Sequence, residues 1–108
     1  MIFSTTPTIE GYEIAEYLRV IGGETISGIK FSKDFGAAFA SFAGGRAAGY
    51  EEEAYKAREA ALNDMWNRAV ELGADAVVGI SVDYSTIGQA NDMLFVVATG
   101  TAVKLRAV

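Results

Sequence analysis

The chain of 108 residues contains no cysteine and no histidine. Without cysteine there can be no disulfide and no thiolate nucleophile, and without histidine the commonest general base and the imidazole metal ligands are missing. Heavy and soft transition metals are held by thiolate or imidazole groups, so the sequence predicts no such metal site. The remaining carboxylates, hydroxyls and arginines form no recognisable catalytic set, which indicates a protein without enzymatic activity.

Positive charge is also scarce, since 9 lysines and arginines face 14 acidic residues and the net charge is −5. Nucleic acids and anionic membrane surfaces are bound by clustered basic residues, so neither is an expected partner. The weakly polar stretch Phe35–Ala43 is far shorter than the roughly 20 residues that cross a bilayer. Residues Met1–Thr6 lack the features of a signal peptide. These observations predict a cytoplasmic location.

Apolar residues, in contrast, are abundant, at 51% of the sequence. A length of 108 residues fits one domain, residues 1–108. A domain this small has little interior in which to bury so many apolar side chains, and subunit interfaces commonly take up the remainder. We therefore expect the chain to associate with copies of itself.

Hydrophobic periodicity predicts a strand over Tyr12–Ile21, continued by Glu24–Ile29 after a bulge or bend at Gly22–Gly23. Alternation along the first strand puts Ile14, Leu18 and Val20 on one face and Ala15, Tyr17 and Ile21 on the other. Two later strands are predicted over Ala76–Ile87 and Met93–Arg106, joined by a turn at Gly88–Asp92. The strand over Ala76–Ile87 should place Val78, Ile80, Val82 and Tyr84 together. The strand over Met93–Arg106 should present a strip of small and aliphatic residues to a helix, namely Leu94, Val96, Ala98, Gly100 and Ala102.

Two helices are predicted between these strands. Four phenylalanines at helical spacing indicate a short helix over Phe31–Phe42, which ends at Gly44–Gly45. Alanine content, an acidic start and a stop at Gly73 indicate a longer helix over about Tyr50–Leu72. Its buried line should consist of Ala54, Ala61, Met65, Ala69 and Leu72, widened by Leu62 and Trp66.

The order strand, helix, long helix, strand, strand predicts an α+β fold, in which a small antiparallel sheet carries both helices on one face. The strands are apolar on both faces, whereas the helices cover only one. We expect the uncovered face to contact another subunit.

Several segments resemble the YbjQ-like family of small bacterial proteins, in the same order along nearly the whole chain. They are Ser4–Thr8 with Glu10–Gly11, Gly44–Arg46 with Tyr50–Glu51, Lys56–Glu59, Leu72–Ile80 and Gly100–Val103. The resemblance implies a dodecin-like α+β subunit that assembles into a closed ring, usually a pentamer. Proteins of this family are often labelled as heavy-metal-binding, although the family has no established activity.

The first candidate site is an anion site at Gly44, Gly45 and Arg46, just before the long helix. Glycines let backbone amides point at a ligand, and an arginine adds a bidentate fork. The alternative is that Gly44–Gly45 only ends a helix, which the acidic run Glu51–Glu53 favours because it already complements the helix dipole.

Oxygen ligands could instead hold a hard cation such as Ca²⁺ or Mg²⁺. Consecutive helical residues point about 100° apart, so Glu51, Glu52 and Glu53 of one subunit cannot converge on one ion. A ring could bring one glutamate from each subunit together. A ligand- or ion-binding protein with intersubunit sites is therefore the alternative to a purely self-assembling one.

Arg58 is the most unusual single residue, because the helical projection places it inside the apolar arc between Met65 and Ala69. A charge there needs a partner. The candidates are Glu51 two turns earlier or a carboxylate of another subunit, such as Glu24 or Asp83, and we expect a structural role at an interface. The phenylalanine stripe could stack a flavin, but such stripes are more often core, so no cofactor is predicted.

Overall fold

The computed structural model describes residues 1–28, 48–88 and 93–108. The elements are β1 (Ile2–Phe3), β2 (Tyr12–Gly28), α1 (Ala48–Glu71), β3 (Ala76–Ile87) and β4 (Met93–Ala107). The short helix predicted over 31–42 lies outside the described residues, as do residues 89–92 of the predicted turn. The three long strands and the long helix are confirmed, and the fold is α+β.

The four strands form one sheet in the order β1-β3-β4-β2. β4 pairs antiparallel with both β2 and β3, whereas β1 pairs parallel with β3, with Ile2 opposite Ala76 and Phe3 opposite Val77. The amide of Ser4 extends this pairing by donating to the carbonyl of Val77 at 2.9 Å. The prediction of a purely antiparallel sheet was therefore wrong. β1 and β3 lie far apart in sequence with α1 between them, and such a connection permits parallel pairing.

α1 ends where the sequence predicts, at Gly73. This glycine has a φ of 71°, which is unfavourable for residues with a Cβ. Its amide donates to the carbonyl of Val70, and the amide of Ala74 donates to that of Ala69, both at 3.0 Å. This pair of hydrogen bonds is the Schellman arrangement that ends many helices.

The buried line of α1 differs at both ends from the predicted one. Ala57, Ala61, Met65 and Ala69 are buried, whereas Leu72 is exposed. The line packs on the even-numbered face of β4, where Leu94, Val96, Ala98 and Ala102 are buried, as predicted. Trp66 lies outside this line and contacts Phe3, with ring centroids 5.0 Å apart, so the helix also holds β1.

β2 is one continuous strand, and its pairing shows no bulge at Gly22–Gly23, where a bulge or bend was predicted. Pairing with β4 runs unbroken from Arg19 to Gly28, and the irregularities fall earlier, between Ile14 and Glu16 and between Tyr17 and Arg19. Each adds one residue to β2 and reverses the alternation that follows. Ile14, Tyr17 and Val20 lie opposite the odd-numbered Leu105, Val103 and Thr101 of β4 and therefore share one face. The predicted pairing of Ile14 with Val20 on one face is confirmed, but Leu18 packs beneath the helix instead and Tyr17 takes its place.

β3 contains a further bulge, which overturns the predicted grouping of Val78 with Ile80. The register shifts between Val78 and Ser81, and Gly79 has a φ of 62°. As a result Ile80 packs with Val77 beneath the helix, whereas Val78 packs with Ala76 and Val103 on the opposite face.

α1 covers only part of one face of the sheet. Its 24 residues span about 36 Å at 1.5 Å per residue, whereas the molecule is 55 Å long. On the other side, Ile9 of the β1–β2 connection packs against Ala76, Val78 and Val103 and closes one end. Within the described parts of the chain no helix covers the remainder of this side. We call it the helix-free face, and it consists of Tyr17, Val20, Glu24, Ile26, Ser81, Asp83, Ser85, Met93, Phe95, Val97, Thr99 and Thr101.

Candidate functional site

The side chain of Arg68 joins the helix to the outer edge of β2. Its guanidinium donates to the carbonyl oxygen of Gly22 at 2.5 Å, and the same nitrogen lies 3.0 Å from a carboxylate oxygen of Glu24. The second terminal nitrogen is 3.2 Å from the carboxylate of Asp64, one turn earlier on α1. That carboxylate also accepts a hydrogen bond from the backbone amide of Glu24 at 3.3 Å. Arg68 is thereby held in one orientation.

This network blocks the middle of an edge strand. β2 is the last strand of the sheet, so its outward-facing amides and carbonyls could pair with a further strand. The carbonyl of Gly22 and the amide of Glu24 are instead satisfied by side chains of α1. A foreign strand therefore cannot pair along β2 at these residues without displacing Arg68 and Asp64.

The irregularity at Leu18 places a second arginine beside this network. Beyond it, Arg19 lies opposite Ala102, whose side is covered by the helix. Bulges often redirect side chains towards functional sites. Here Arg19 comes to lie on the same side of the sheet as the C-terminal turn of α1.

Arg19 and the C-terminal turn of α1 border a cleft of about 520 Å³. This volume lies within the range of small-molecule sites, roughly 300–1,000 Å³. The cleft combines two basic residues, one acidic residue and apolar surface, lined by Arg19, Val20, Ile21, Gly22, Arg68, Glu71 and Leu72. Within residues 1–28, 48–88 and 93–108, neither Arg19 nor Glu71 forms an ion pair.

Of the residues predicted from the sequence, the described Glu51 and Arg58 do not border the cleft. Gly44, Gly45 and Arg46, the candidate anion site, are outside the described residues. Glu51 is exposed in the first turn of α1. Arg58 is half-buried on α1, and its guanidinium lies over the ring of Tyr55 at 5.2 Å from the centroid. Glu24, considered as a partner for Arg58, is paired with Arg68 in this subunit.

Sequence reasoning missed the cleft. Its two arginines are 49 positions apart, and they meet through the bulge in β2 and the crossing of α1 over the sheet edge. A usable signal was Arg68 itself, a basic residue in the last turn of the helix. The bulge at Leu18 has no such signal, because neither glycine nor proline marks it.

The donor groups were also tested against a heavy-metal site. The full sequence offers neither thiolate nor imidazole, which are the ligands that heavy metals prefer. Among the described residues, no three acidic side chains are grouped so that they could hold a metal ion. The residues that are present do not fit a heavy-metal centre. The part of the chain that the structure describes holds no helix long and apolar enough to span a membrane.

The fold and the sheet-edge cleft define a small α+β protein whose mixed sheet is covered by a long helix. A family model described as "Putative heavy-metal-binding" and named YbjQ_1 matches residues 1–106. The chain therefore belongs to the YbjQ family.

The chain is also similar to curated relatives in sequence and to a solved structure in fold. The chain is 53% identical over 103 residues to a UPF0145 protein of Clostridium botulinum (strain Alaska E43 / Type E3), covering 95% of this chain and 97% of that protein. It is 49% identical over 107 residues to a UPF0145 protein of Listeria ivanovii, covering 99% and 97%. A crystal structure of a protein of unknown function from the DUF74 family of Pediococcus pentosaceus is similar in fold, with a TM-score of 0.67, 17% identity and 98% coverage of both chains.

Proposed function

We propose that this protein is a non-enzymatic, cytoplasmic subunit of a closed homo-oligomeric ring. Its single domain, residues 1–108, would pack its sheet in a dodecin-like manner. The ring number of five is the one that the family resemblance implies. The observation that supports assembly most directly is the row of exposed apolar side chains on the helix-free face.

Three residues of β2 form this row. Tyr17 is 70% exposed, Val20 71% and Ile26 59%, and Phe95 of β4 lies directly opposite Ile26. Gly22 and Glu24 lie between Val20 and Ile26 in β2, so the exposed apolar side chains form two groups. Exposed apolar patches on a small protein mark interaction sites. Full burial of a valine or isoleucine side chain contributes about 1.5–3 kcal/mol, so covering this row would stabilise an interface by several kcal/mol.

A ring contact would join two different sides of the sheet. β2 forms one edge, and β3 from Ser81 to Ile87 extends beyond the two-residue β1 at the other. Contact between the β2 side of one subunit and the β3 side of the next uses two different surfaces. Such a heterologous contact forms a ring when the rotation between subunits closes.

The variants Val20→Lys and Val70→Lys test this proposal as a matched pair. Val70 is also an exposed valine, at 57%, but lies on α1. Neither change disturbs a buried side chain, so both subunits should fold. We expect size-exclusion chromatography with light scattering to show a smaller mass for Val20→Lys and the wild-type mass for Val70→Lys. An unchanged mass for Val20→Lys would exclude the helix-free face as the interface.

We propose that Arg58 acts at a subunit contact together with Glu51. The guanidinium above Tyr55 is half-buried within one subunit, and a neighbouring copy could supply a carboxylate to it. Arg58→Ala should then lower the assembled mass in light scattering. If the mass stays the same, Arg58 has only a local role on α1.

Gly44, Gly45 and Arg46 stay a proposed anion site, supported by the glycine–glycine–arginine pattern before α1. Titration with inorganic phosphate or sulfate tests it, with Arg46→Ala as the comparison. Saturable binding that this substitution removes supports the site. The absence of binding at millimolar anion contradicts it.

A further inference from the structure

We propose that the cleft between β2 and the C-terminal turn of α1 binds a zwitterionic small molecule, an α-amino acid with an apolar side chain. In this arrangement Arg19 holds the carboxylate of the ligand, Glu71 holds its ammonium group, and Leu72 contacts its side chain. The cleft shares Val20 with the helix-free face, whereas Arg19, Arg68 and Glu71 do not belong to that face.

The first argument is that opposite charges line one cleft and remain separate. Arg19 and Glu71 both border it, yet within the described parts of the chain they form no ion pair with each other or with another residue. Each therefore keeps its capacity for a charged hydrogen bond. A ligand that carries both charges can satisfy the two residues at once.

The second argument concerns the orientation of the ligand. The C-terminus of a helix carries partial negative charge, which favours a cation, and Glu71 is the last residue of α1. The ammonium group is therefore best placed at the Glu71 end. The carboxylate then points across the cleft to Arg19 on β2.

The third argument is that the cleft wall is rigid and partly apolar. Arg68 is fixed by Gly22, Glu24 and Asp64, so two carboxylates already balance its charge. It positions the wall instead of attracting an anion. Leu72 is 38% exposed beside it and offers the apolar surface that an aliphatic side chain can cover.

Isothermal titration calorimetry with three related compounds tests the proposal. L-Leucine carries both charges, 4-methylpentanoate lacks the ammonium group, and 3-methylbutylamine lacks the carboxylate. We expect saturable binding of leucine, with a dissociation constant of about 1 mM or below. Each partial ligand should bind about tenfold more weakly, since one charged hydrogen-bonding group is lost. Amide chemical shifts should locate the binding at residues 19–22 and 68–72.

Two variants assign the contacts. Arg19→Gln should weaken leucine binding about tenfold and leave the affinity for 3-methylbutylamine unchanged. Glu71→Gln should also weaken leucine binding about tenfold, but it should leave the affinity for 4-methylpentanoate unchanged. Lys56→Gln is the control, because it removes one positive charge from the exposed pair with Glu52 and should leave all three affinities unchanged.

Light scattering on the same samples separates this proposal from ring assembly. Saturable, Arg19-dependent binding by a folded monomer would support the cleft and contradict the ring. The proposal is overturned if leucine shows no saturable binding up to tens of millimolar, or if Arg19→Gln and Glu71→Gln leave its affinity unchanged. It is also overturned if Arg19→Gln changes only the assembled mass, because the cleft would then belong to an interface.

Discussion

The backbone of Gly23 in β2 lies directly against the carbonyl oxygen of Ala61 in α1. A Cβ on residue 23 would overlap that oxygen and would stand 2.8 Å from the amide nitrogen of Met65. The obstacles are backbone atoms of a helix, which cannot move aside as a flexible side chain can. This contact sets the distance between helix and sheet, and with it the position of Arg68 over the edge of β2.

Gly23→Ala should therefore be strongly destabilising. Overpacking of this kind costs about 1–3 kcal/mol and occasionally more, and we expect the upper part of that range in urea unfolding at fixed protein concentration. Gly28→Ala is the control in the same strand, because a Cβ there would have no neighbour within 4 Å among the described residues. Equal stability of the two variants would show that the helix does not pack this closely.

The bulge in β3 depends on the left-handed conformation of Gly79. Its φ of 62° costs an L-residue with an ordinary side chain roughly 1–2 kcal/mol, whereas asparagine tolerates it better. Gly79→Ala should lower the free energy of unfolding by about that amount, and Gly79→Asn by less. No atom of residues 1–28, 48–88 or 93–108 lies within 4 Å of a Cβ at this position, so steric overlap with them does not affect the comparison. An alanine variant as stable as the wild type would contradict the bulge.

The ion pair between Arg68 and Glu24 should contribute modestly to stability. Both side chains are nearly half exposed, and exposed pairs contribute about 0.2–1 kcal/mol. A double-mutant cycle with Arg68→Gln and Glu24→Gln should give a coupling energy in this range. Because salt screens exposed charges, the coupling should shrink in 1 M NaCl. A larger coupling that salt does not change would mean that the pair is buried in the assembly.

Cadmium and zinc should not bind tightly to this member of the family. The sequence supplies neither cysteine nor histidine, and carboxylates are poor ligands for soft metals. Equilibrium dialysis of the EDTA-treated protein at micromolar metal should recover less than one ion per chain. Calcium serves as the comparison for binding through oxygen ligands alone. A stoichiometric cadmium complex would restore the function that the family description suggests.

Regular alternation was the part of the fold that the sequence predicted best. The strip of β4 from Leu94 to Ala102 packs against α1 as expected because no bulge interrupts β4. α1 was also predicted well, since alanine content and Gly73 are local signals. The parallel pairing of β1 involves two residues that contact a strand far away in the sequence, and local sequence patterns cannot predict such a pairing.

The side-chain faces of β2 and β3 were predicted incorrectly because bulges reverse the alternation. Gly79 was a signal that could have been used, since an isolated glycine in a strand often marks a bulge. Ala15 and Leu18 carry no comparable signal. The sequence predicted a bulge or bend at Gly22–Gly23. In the structure Gly23 allows close contact with the helix, and the carbonyl of Gly22 at the sheet edge accepts a hydrogen bond from Arg68. The cleft depends on the bulge at Leu18 and so could not be predicted either.

The mass of the native wild-type protein tests the central claim most directly. Native mass spectrometry at micromolar concentration should show a closed assembly of five times the 11.5 kDa of a single chain. Closure would appear as one dominant species that does not grow with concentration. A well-folded species at 11.5 kDa would contradict the account, because the apolar row of Tyr17, Val20 and Ile26 would then be stable in water without a partner.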